Sequence, residues 1–382
     1  MIRFFVTLMA LGLLGTTARS AEEAKPNTLT PKEIEEGWIL LFDGETTFGW
    51  KVEGDSEIKD GRWILGGKKE TTLTSTTAFH LGELQFDFRN VGNVKTTLAG
   101  QERKLASLAA PPGWTQAVSG FFTSKDGPSR NGGSYYGAYE EGKNEDGQNV
   151  ARALTKVLLP LNTEPKPISY SIAANAKLIL QSVKFRPLGT KPLFNAKDLT
   201  GWKVFQDAKR NQSKWTVTPE GWLNVKNGPG DLQTEKTYGD FVLQLECISN
   251  GKALNSGVFF RCIANEYQNG YEMQIQNGFK DNDRTKPSDF GTGAIYRRVP
   301  ARKVIPNDNE WFSMTLTANG NHISTWVNGY QTVDWADDRK ADDNPRKGSR
   351  TAAGHLSFQG HDPTTDLSFR NIRMVELKSE KK

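Results

Sequence analysis

The sequence predicts an all-β protein made of two tandem antiparallel β-sandwiches. Stretches that alternate apolar and polar residues, such as ELQFDF at 83–88 and FVLQLEC at 241–247, are typical of strands with one buried face. The 382 residues include 37 glycines and evenly spread aromatic residues, which favour short strands and tight turns over long helices. HISTWVNGYQTVDW at 322–335 places Asn328-Gly329 between two such stretches, which is a strong hairpin signal.

An internal repeat divides the chain into two halves. LFDGETTFGWKV begins at Leu41 and LFNAKDLTGWKV begins at Leu193, with six of the twelve positions identical. The halves also close alike, with LILQSVKFRPL at 178–188 and LSFRNIRMVEL at 367–377. A repeat of this length indicates a duplication, so we expect one sandwich in residues 21–188 and a second in residues 189–382.

One short helix is expected ahead of the first repeat, in LTPKEIEEGW at 29–38. Thr30 is placed as N-cap, Pro31 as the first helical residue, and Glu33 three residues after the cap. Together they form the pattern of a capping box.

The first twenty residues have the pattern of a secretory signal peptide. Arg3 precedes the apolar stretch FFVTLMALGLLG, and small and polar residues follow up to Ser20. We therefore expect a periplasmic or secreted protein, and no other segment has the length and hydropathy of a membrane span. The formal net charge of +5 comes from interspersed charges without a basic stripe, which argues against nucleic acid as a partner.

The chain has two cysteines, Cys247 and Cys262, both on predicted strands. In an exported protein they could pair as a disulfide. The alternative is two buried thiols that act as small apolar side chains.

The polar face of one strand in the second half is the main functional signal. In YEMQIQ at 271–276 the apolar residues alternate with Glu272, Gln274 and Gln276, which share one face of the strand. On the strand GVFFRC, Arg261 is expected on the same face as Phe259. A solvent-exposed outer face would explain this pattern, but acid, amide and arginine groups also match sugar hydroxyls. We therefore expect a carbohydrate cleft on this face.

Three of the four histidines also lie in the second half. His361, in the turn FQGHDP beside Asp362, is either a titrating functional group or a loop residue bonded to the backbone. His355 is expected to be structural and His322 to lie on the surface. DNDRTKPSD at 281–289 has three acids but lacks the spacing of an EF-hand, so it is a weak candidate for a metal site.

Several motifs of the second half occur in an order that resembles the 3-keto-disaccharide hydrolase domain family. They are LFNAKDLTGW, NSGVFFR, GYEMQIQN, GTGAIYRRVPARK, NGNHISTWVNGYQTVDW and FQGHDPTTDLSFRNIRM. The resemblance covers about residues 192–377 and implies a concanavalin-like jelly-roll sandwich in a secreted or periplasmic protein. The first half resembles the family only at its two ends and is interpreted as a degenerate copy.

The resemblance implies cleavage of glycosides that carry a ketone at carbon 3. The ketone acidifies the hydrogen on carbon 2, so that a base can remove it, the enolate expels the anomeric substituent, and water adds back. Either Glu272 or His361 is expected to be the base, with the other as acid or, if a divalent cation is present, as its ligand. Arg261 is expected to stabilise the enolate.

The remaining residues of the predicted site bind or border the sugar. Asn255, Gln274 and Gln276 are expected to bind hydroxyls, while Tyr296 and Arg297 shape the rim. The family tends to carry an acid before the histidine of FQGHDP, and Gly360 stands there in this chain. The alternatives to an enzyme are a non-catalytic carbohydrate-binding module and a structural surface protein.

Overall fold

The computed structural model describes residues 27–91, 93–98, 101–104, 135–143, 149–159, 164–207 and 209–377. The expected signal peptide lies outside the described residues. Within these ranges, no helix has the length and apolar character needed to cross a membrane.

The expected short helix, α1, spans Pro31–Glu35. The Thr30 hydroxyl accepts a hydrogen bond from the Glu33 amide at 3.2 Å, and the Glu33 carboxylate accepts one from the Thr30 amide at 2.8 Å. This reciprocal pair satisfies amide groups that the first helical turn leaves free. The capping box is therefore confirmed.

The first half forms two antiparallel sheets that face each other across one core. One sheet has the order β3-β4-β12-β6-β10-β9, with β1 also paired to β12, and the other has the order β2-β5-β11-β7-β8. The described strands are β1 (Ile39–Leu40), β2 (Trp50–Glu53), β3 (Ser56–Lys59), β4 (Arg62–Leu65), β5 (Thr71–Ser75), β6 (Gly82–Val91), β7 (Val94–Leu98), β8 (Gln101–Lys104), β9 (Tyr135–Lys143), β10 (Asn149–Leu159), β11 (Ser169–Ile172) and β12 (Lys177–Pro187).

The second half repeats this architecture with a longer sheet. One sheet has the order β15-β16-β25-β18-β21-β22-β23, with β13 also paired to β25, and the five-stranded sheet has the order β14-β17-β24-β19-β20. The described strands are β13 (Lys191–Pro192), β14 (Trp202–Val204), β15 (Lys214–Val217), β16 (Leu223–Lys226), β17 (Gly230–Tyr238), β18 (Phe241–Ser249), β19 (Ser256–Cys262), β20 (Tyr271–Ile275), β21 (Phe312–Asn319), β22 (His322–Val327), β23 (Tyr330–Ala336), β24 (Gly354–Gly360) and β25 (Asp366–Glu376).

The strand orders of the two sandwiches correspond. Strands β1 to β8 occupy the places of β13 to β20, and the closing strands β11 and β12 occupy those of β24 and β25. The halves differ between these ends. In the first half, β9 and β10 form a hairpin, and β10 pairs with β6. In the second half, β21, β22 and β23 form a meander, and β21 pairs with β18. The all-β jelly-roll class and the duplication are thus both visible in the topology.

The two sandwiches share a packed boundary. Trp326 of β22 is 1% exposed and belongs to the core cluster of the first sandwich, which also contains Trp63 and Phe42. Its indole nitrogen donates to the Leu40 carbonyl at 3.0 Å, and the Leu40 amide donates to the Gly329 carbonyl at 2.8 Å. The second domain therefore completes the core of the first.

The turn Asn328-Gly329 between β22 and β23 lies at this boundary. Its two φ angles are +46° and +78°, as a type I′ hairpin turn requires, so the predicted hairpin is confirmed. A side chain at Gly329 would collide with Leu29, which adds a packing reason for glycine here.

The expectation of a surface position for His322 is wrong. Its Nε2 lies 3.0 Å from Asp334 Oδ1, and the side chain is only 21% exposed. Asp334 in turn accepts a hydrogen bond from the Thr76 hydroxyl at 2.7 Å, so the pair belongs to the domain boundary. His355 is structural as expected, with Nδ1 2.7 Å from the Thr234 carbonyl.

Cys247 and Cys262 are free thiols, and both are buried. Burial raises the pKa of each thiol well above its ordinary value. The structure therefore supports the interpretation as small apolar side chains and excludes the disulfide.

Candidate active site

A polar band crosses one face of the five-stranded sheet. The register places Phe259 between Ser357 and Glu272 on the neighbouring strands, and Gly257 opposite Gln274. The alternate residues, among them Leu232, Val258, Met273 and Phe358, point into the core. The polar side chains of this band are Asp231, Gln233, Glu272, Gln274, Ser357 and Gln359, and Phe259 lies among them.

A cavity of about 440 Å³ lies over this band. Six of the eight residues predicted for the site line it: Asn255, Glu272, Gln274, Tyr296, Arg297 and His361. The lining residues that the sequence analysis did not single out are Phe259, Gln268, Gly270, Tyr271, Arg298, Pro345, Arg346 and Gln359.

Glu272, on β20, is an acid in the cavity wall. Its side chain is half-buried and lies against Gly257, where an added Cβ would be only 2.5 Å from Glu272 Oε1. Burial, and then the charge of Asp289, raise the pKa of Glu272 to about 8, although Arg346 and Arg297 act in the opposite direction. The carboxyl is therefore mostly protonated at neutral pH.

Asp289 is a second carboxylate that the sequence analysis considered only as part of a metal-like run. Its Oδ2 accepts hydrogen bonds from Asn255 Nδ2 at 2.9 Å and from Gln274 Nε2 at 3.1 Å. Two of the predicted sugar-binding amides therefore hold an acid beside Glu272. Because Asp289 lies in a loop, its place beside β20 could not be inferred from strand alternation.

His361 lines the same cavity from the turn directly after β24. Its Nδ1 is 2.8 Å from Asp362 Oδ2, and its backbone amide donates to the Thr365 hydroxyl at 3.0 Å. The contact with Asp362 fixes the ring and leaves Nε2 as the nitrogen available to a ligand. The histidine is thus both anchored and accessible, with 40% of its side chain exposed.

Gly360 stands where the resembled family tends to carry an acid, and packing explains the glycine. A side chain at this position would collide with the Ser213 hydroxyl and come within 2.7 Å of the Asn227 carbonyl. An acid cannot occupy this place without moving the neighbouring loop.

The assignment of Arg261 to the enolate is wrong. The register between β19 and β24 shifts by one residue between Phe259 and Cys262, and Arg261 at this bulge has a φ of +52°. The bulge ends the simple alternation of faces, so that Cys262 comes to lie beside Gly270 at the cavity.

The guanidinium of Arg261 is fully buried away from the cavity. It donates to Asp240 Oδ1 at 2.8 Å, to the Gly239 carbonyl at 3.0 Å and to the Arg350 carbonyl at 2.9 Å. Its bonds hold the β17–β18 turn to the segment before β24, which is a structural role.

Gln276 also lies outside the cavity lining. Its side-chain oxygen accepts a hydrogen bond from the Gly278 amide at 2.7 Å, and its nitrogen lies 3.5 Å from the Ala253 carbonyl. Strand β20 ends at Ile275, so the alternation that predicted a shared face with Gln274 no longer applies.

The cavity is lined by Arg297, Arg298 and Arg346, and Arg261 is not part of the lining. The Arg346 guanidinium donates to the Gln268 carbonyl at 2.6 Å, and the Arg298 guanidinium donates to the Arg346 carbonyl at 2.8 Å. Arg297 lies over the Tyr296 ring, with 5.2 Å from guanidinium to ring centroid. Arg346 lies about 75 residues from Glu272 in sequence, and no local pattern signals its contribution.

Several buried amide atoms at the cavity lack a partner. Gln274 Oε1, Gln359 Oε1 and Gln268 Nε2 are each buried without a hydrogen bond to another described group. Buried polar atoms are rarely left unpaired, so these atoms are available to a polar ligand. Their mixture of acceptors and a donor matches hydroxyl groups.

Asp231, at the far end of the polar band, is a buried acid that the sequence analysis missed. Its Oδ2 accepts hydrogen bonds from the Ser357 hydroxyl at 2.8 Å and from Gln233 Nε2 at 3.1 Å. Burial raises its pKa to about 6 despite these bonds. The alternation of Asp231 and Gln233 in GDLQTEK was the available signal.

The acids of residues 281–289 do not converge on a metal position. Asp281 and Asp283 pair with Lys286, at 3.1 and 3.8 Å, while Asp289 turns to Asn255. In the part of the chain that the structure describes, no group of three or more His, Cys, Asp or Glu side chains is arranged to hold a metal ion.

Comparison with known proteins agrees with the motifs of the second half. Residues 189–375 match the model of the 3-keto-alpha-glucoside-1,2-lyase-like domain family. These residues carry that family's domain. The match spans slightly less than half of the chain and confirms the resemblance on which the cavity residues were predicted.

Similar solved structures include two carbohydrate-related proteins. A candidate glycosyl hydrolase from Parabacteroides distasonis is 23% identical, with 50% of this chain and 94% of that chain covered and a TM-score of 0.41. The carbohydrate-binding module CBM66 from Bacillus subtilis is 16% identical, with 46% and 95% covered and a TM-score of 0.33. No curated protein matches this chain in sequence.

Proposed function

We propose that this chain is an exported protein whose second domain cleaves 3-keto-glycosides by removal of the C2 proton, elimination of the anomeric substituent and hydration. The observation that carries the proposal is that Glu272 and His361 line one cavity together with Arg297 and Arg346. An elimination next to a ketone needs a base, an acid and a cation near the enolate oxygen, and this set supplies all three.

The raised pKa of Glu272 favours one of the two role assignments that the sequence left open. Because the pKa of Glu272 is about 8, its carboxyl holds a proton at neutral pH and suits the acid that protonates the leaving oxygen. His361, with Nδ1 held by Asp362, presents Nε2 as the base for the C2 proton. The proton thus moves from C2 to His361, and the departing oxygen takes the proton of Glu272.

We assign the stabilisation of the enolate oxygen to the arginines at the rim of the cavity. Arg346 and Arg297 both lower the pKa of Glu272, so their positive charge acts inside the cavity. Cations placed where negative charge develops stabilise the transition state more than the ground state. These two residues replace Arg261 in the proposed mechanism.

A carbohydrate-binding module without catalysis is the second candidate. The unpaired buried atoms of Gln268, Gln274 and Gln359 favour it, because they offer hydrogen bonds to a sugar whether or not a reaction follows. Such a module has no use for a protonated acid and an anchored histidine in one cavity, and on this ground we favour the enzyme.

The test compares an aryl 3-keto-glucoside with the matched aryl glucoside that keeps its C3 hydroxyl. We expect aglycone release from the ketone only. Removal of a general acid or base costs about 10²- to 10⁴-fold, so Glu272→Gln and His361→Gln should each lower kcat by this order while substrate binding stays within a few fold. Binding without release by the unsubstituted chain would overturn the enzyme and leave the binding module. Parallel assays with and without a chelator measure any dependence on a divalent cation.

A further inference from the structure

We propose that the first domain positions the rim of the cavity, and that Arg302 is the residue through which it acts. The rim loop is defined as residues 291–304, which include Tyr296 and Arg297. This inference rests on the proposed function only for its kinetic readout, because its structural consequence can be measured without substrate.

The rim loop is bonded directly to the strand that carries the acid. The Tyr296 amide donates to the Glu272 carbonyl at 2.9 Å, and the Gln274 amide donates to the Ala294 carbonyl at 3.0 Å. A third bond joins the Gly293 amide to the Gln274 carbonyl at 2.9 Å. Movement of the loop therefore changes the backbone on which Glu272 and Gln274 are mounted.

The far end of the rim loop is held by the first domain. The Arg302 guanidinium donates from Nη2 to Asp43 Oδ2 at 2.9 Å and to the Thr46 hydroxyl at 2.8 Å. It also lies over the Phe48 ring, with 4.1 Å from guanidinium to centroid. Each of these three partners belongs to the turn before β2, so one side chain joins the loop to the first sandwich.

The ion pair between Arg302 and Asp43 is largely shielded from water. Its side chain is 20% exposed and that of Asp43 is 8% exposed, so water competes little with the contact. Burial by itself would raise the pKa of Asp43, but hydrogen bonds from Thr46, the Glu45 amide and Arg302 lower it below the ordinary value. Asp43 is therefore ionised, and it is held by bonds from its own turn as well as by Arg302.

Backbone hydrogen bonds at residues 301 and 302 connect the contact between Arg302 and the first domain to the rest of the rim loop. Its amide donates to the Thr332 carbonyl at 3.1 Å, and the preceding Ala301 amide donates to the Phe290 carbonyl at 2.9 Å. Arg297, five residues before, is exposed and lies over the ring of its neighbour Tyr296, which belongs to the same loop. Its place at the cavity depends on the loop backbone, which the first domain restrains at Arg302.

The experiment measures amide hydrogen exchange of the rim loop in the full chain. Arg302→Ala is compared with Thr76→Val, which removes a different contact between the domains, the hydrogen bond to Asp334, together with a bond to the Gly49 carbonyl, and leaves the partners of Arg302 in place. We expect exchange at Tyr296 and Gly293 to rise about tenfold or more in Arg302→Ala and to stay unchanged in Thr76→Val. Asp43→Asn, which keeps the size of the side chain, should give a smaller rise at the same amides.

Unchanged exchange in both Arg302→Ala and Asp43→Asn would overturn the inference, as would an equal rise in Thr76→Val. If Arg302→Ala does not fold, Asp43→Asn decides. On a 3-keto-glucoside we expect Arg302→Ala to lower kcat several-fold with a smaller change in KM, because the loop positions Arg297 near the enolate and is bonded to the backbone of Glu272. An inactive parent chain would refute the proposed function and leave the exchange result standing.

Discussion

Replacement of Glu272 by glutamine should make the protein more stable in alkaline solution. The pKa of Glu272 is about 8 in the folded chain against an ordinary value of 4.5, chiefly because of burial. Between these two values the folded state keeps a proton that the unfolded state has lost. Unfolding then releases a proton, so the free energy of unfolding falls as pH rises from about 4.5 to 8. Above that range the folded chain carries a half-buried charge.

The size of the effect follows from the interval between the two pKa values. At about 1.4 kcal/mol for each tenfold change, the full interval corresponds to roughly 5 kcal/mol. The side chain is only half-buried, so solvent recovers part of this cost. We therefore expect the difference between the parent chain and Glu272→Gln to grow by about 2–4 kcal/mol from pH 5 to pH 9.

Urea unfolding of both proteins at pH 5 and pH 9 measures this double difference. Other titrating groups are common to the two chains and cancel. Glutamine keeps the shape of the side chain and cannot ionise, so packing changes contribute equally at both pH values. Identical pH dependence in the two proteins would mean that the carboxyl of Glu272 is already ionised near neutral pH, and the role of acid would then be refuted.

Three further predictions concern other parts of the molecule. Asp289→Asn removes a negative charge that raises the pKa of Glu272, so the alkaline limit of the pH–rate profile should move to lower pH; an unmoved limit would show that Asp289 does not act on this acid. Arg261→Met should lower the free energy of unfolding by about 3–5 kcal/mol, because it leaves Asp240 without its buried partner; a variant that stays as stable but loses sugar binding would contradict the structural role. Trp326→Ala should cost about 3–5 kcal/mol in thermal unfolding, since it opens a cavity in the core of the first sandwich; a change below 1 kcal/mol would contradict the shared core.

Most of the fold could be predicted from local patterns. The capping box at Thr30, the hairpin at Asn328-Gly329 and the alternating strands each depend on residues close in sequence, and the internal repeat supplied the division into two sandwiches. The packing of Trp326 against the first core depends on residues nearly 300 positions apart, and no local pattern signals it.

The positions of the candidate residues could be predicted where strands stay regular and could not where they do not. Glu272 and Gln274 alternate on an unbroken strand and were placed correctly. Arg261 sits at a bulge, where one extra residue ends the alternation and redirects the side chain. Arg346 reaches the cavity, and Asp289 reaches the lining residue Gln274, from loops whose paths depend on tertiary contacts rather than on a periodic pattern.

The central claim is that one cavity removes the C2 proton of a 3-keto-sugar and expels its anomeric substituent. The most direct measurement is aglycone release from an aryl 3-keto-glucoside that carries deuterium at C2, compared with the same substrate carrying hydrogen. We predict slower release from the deuterated sugar, and His361→Gln should lose release from both. Release at equal rates from the two substrates, with the C2 deuterium retained in the sugar product, would contradict the account.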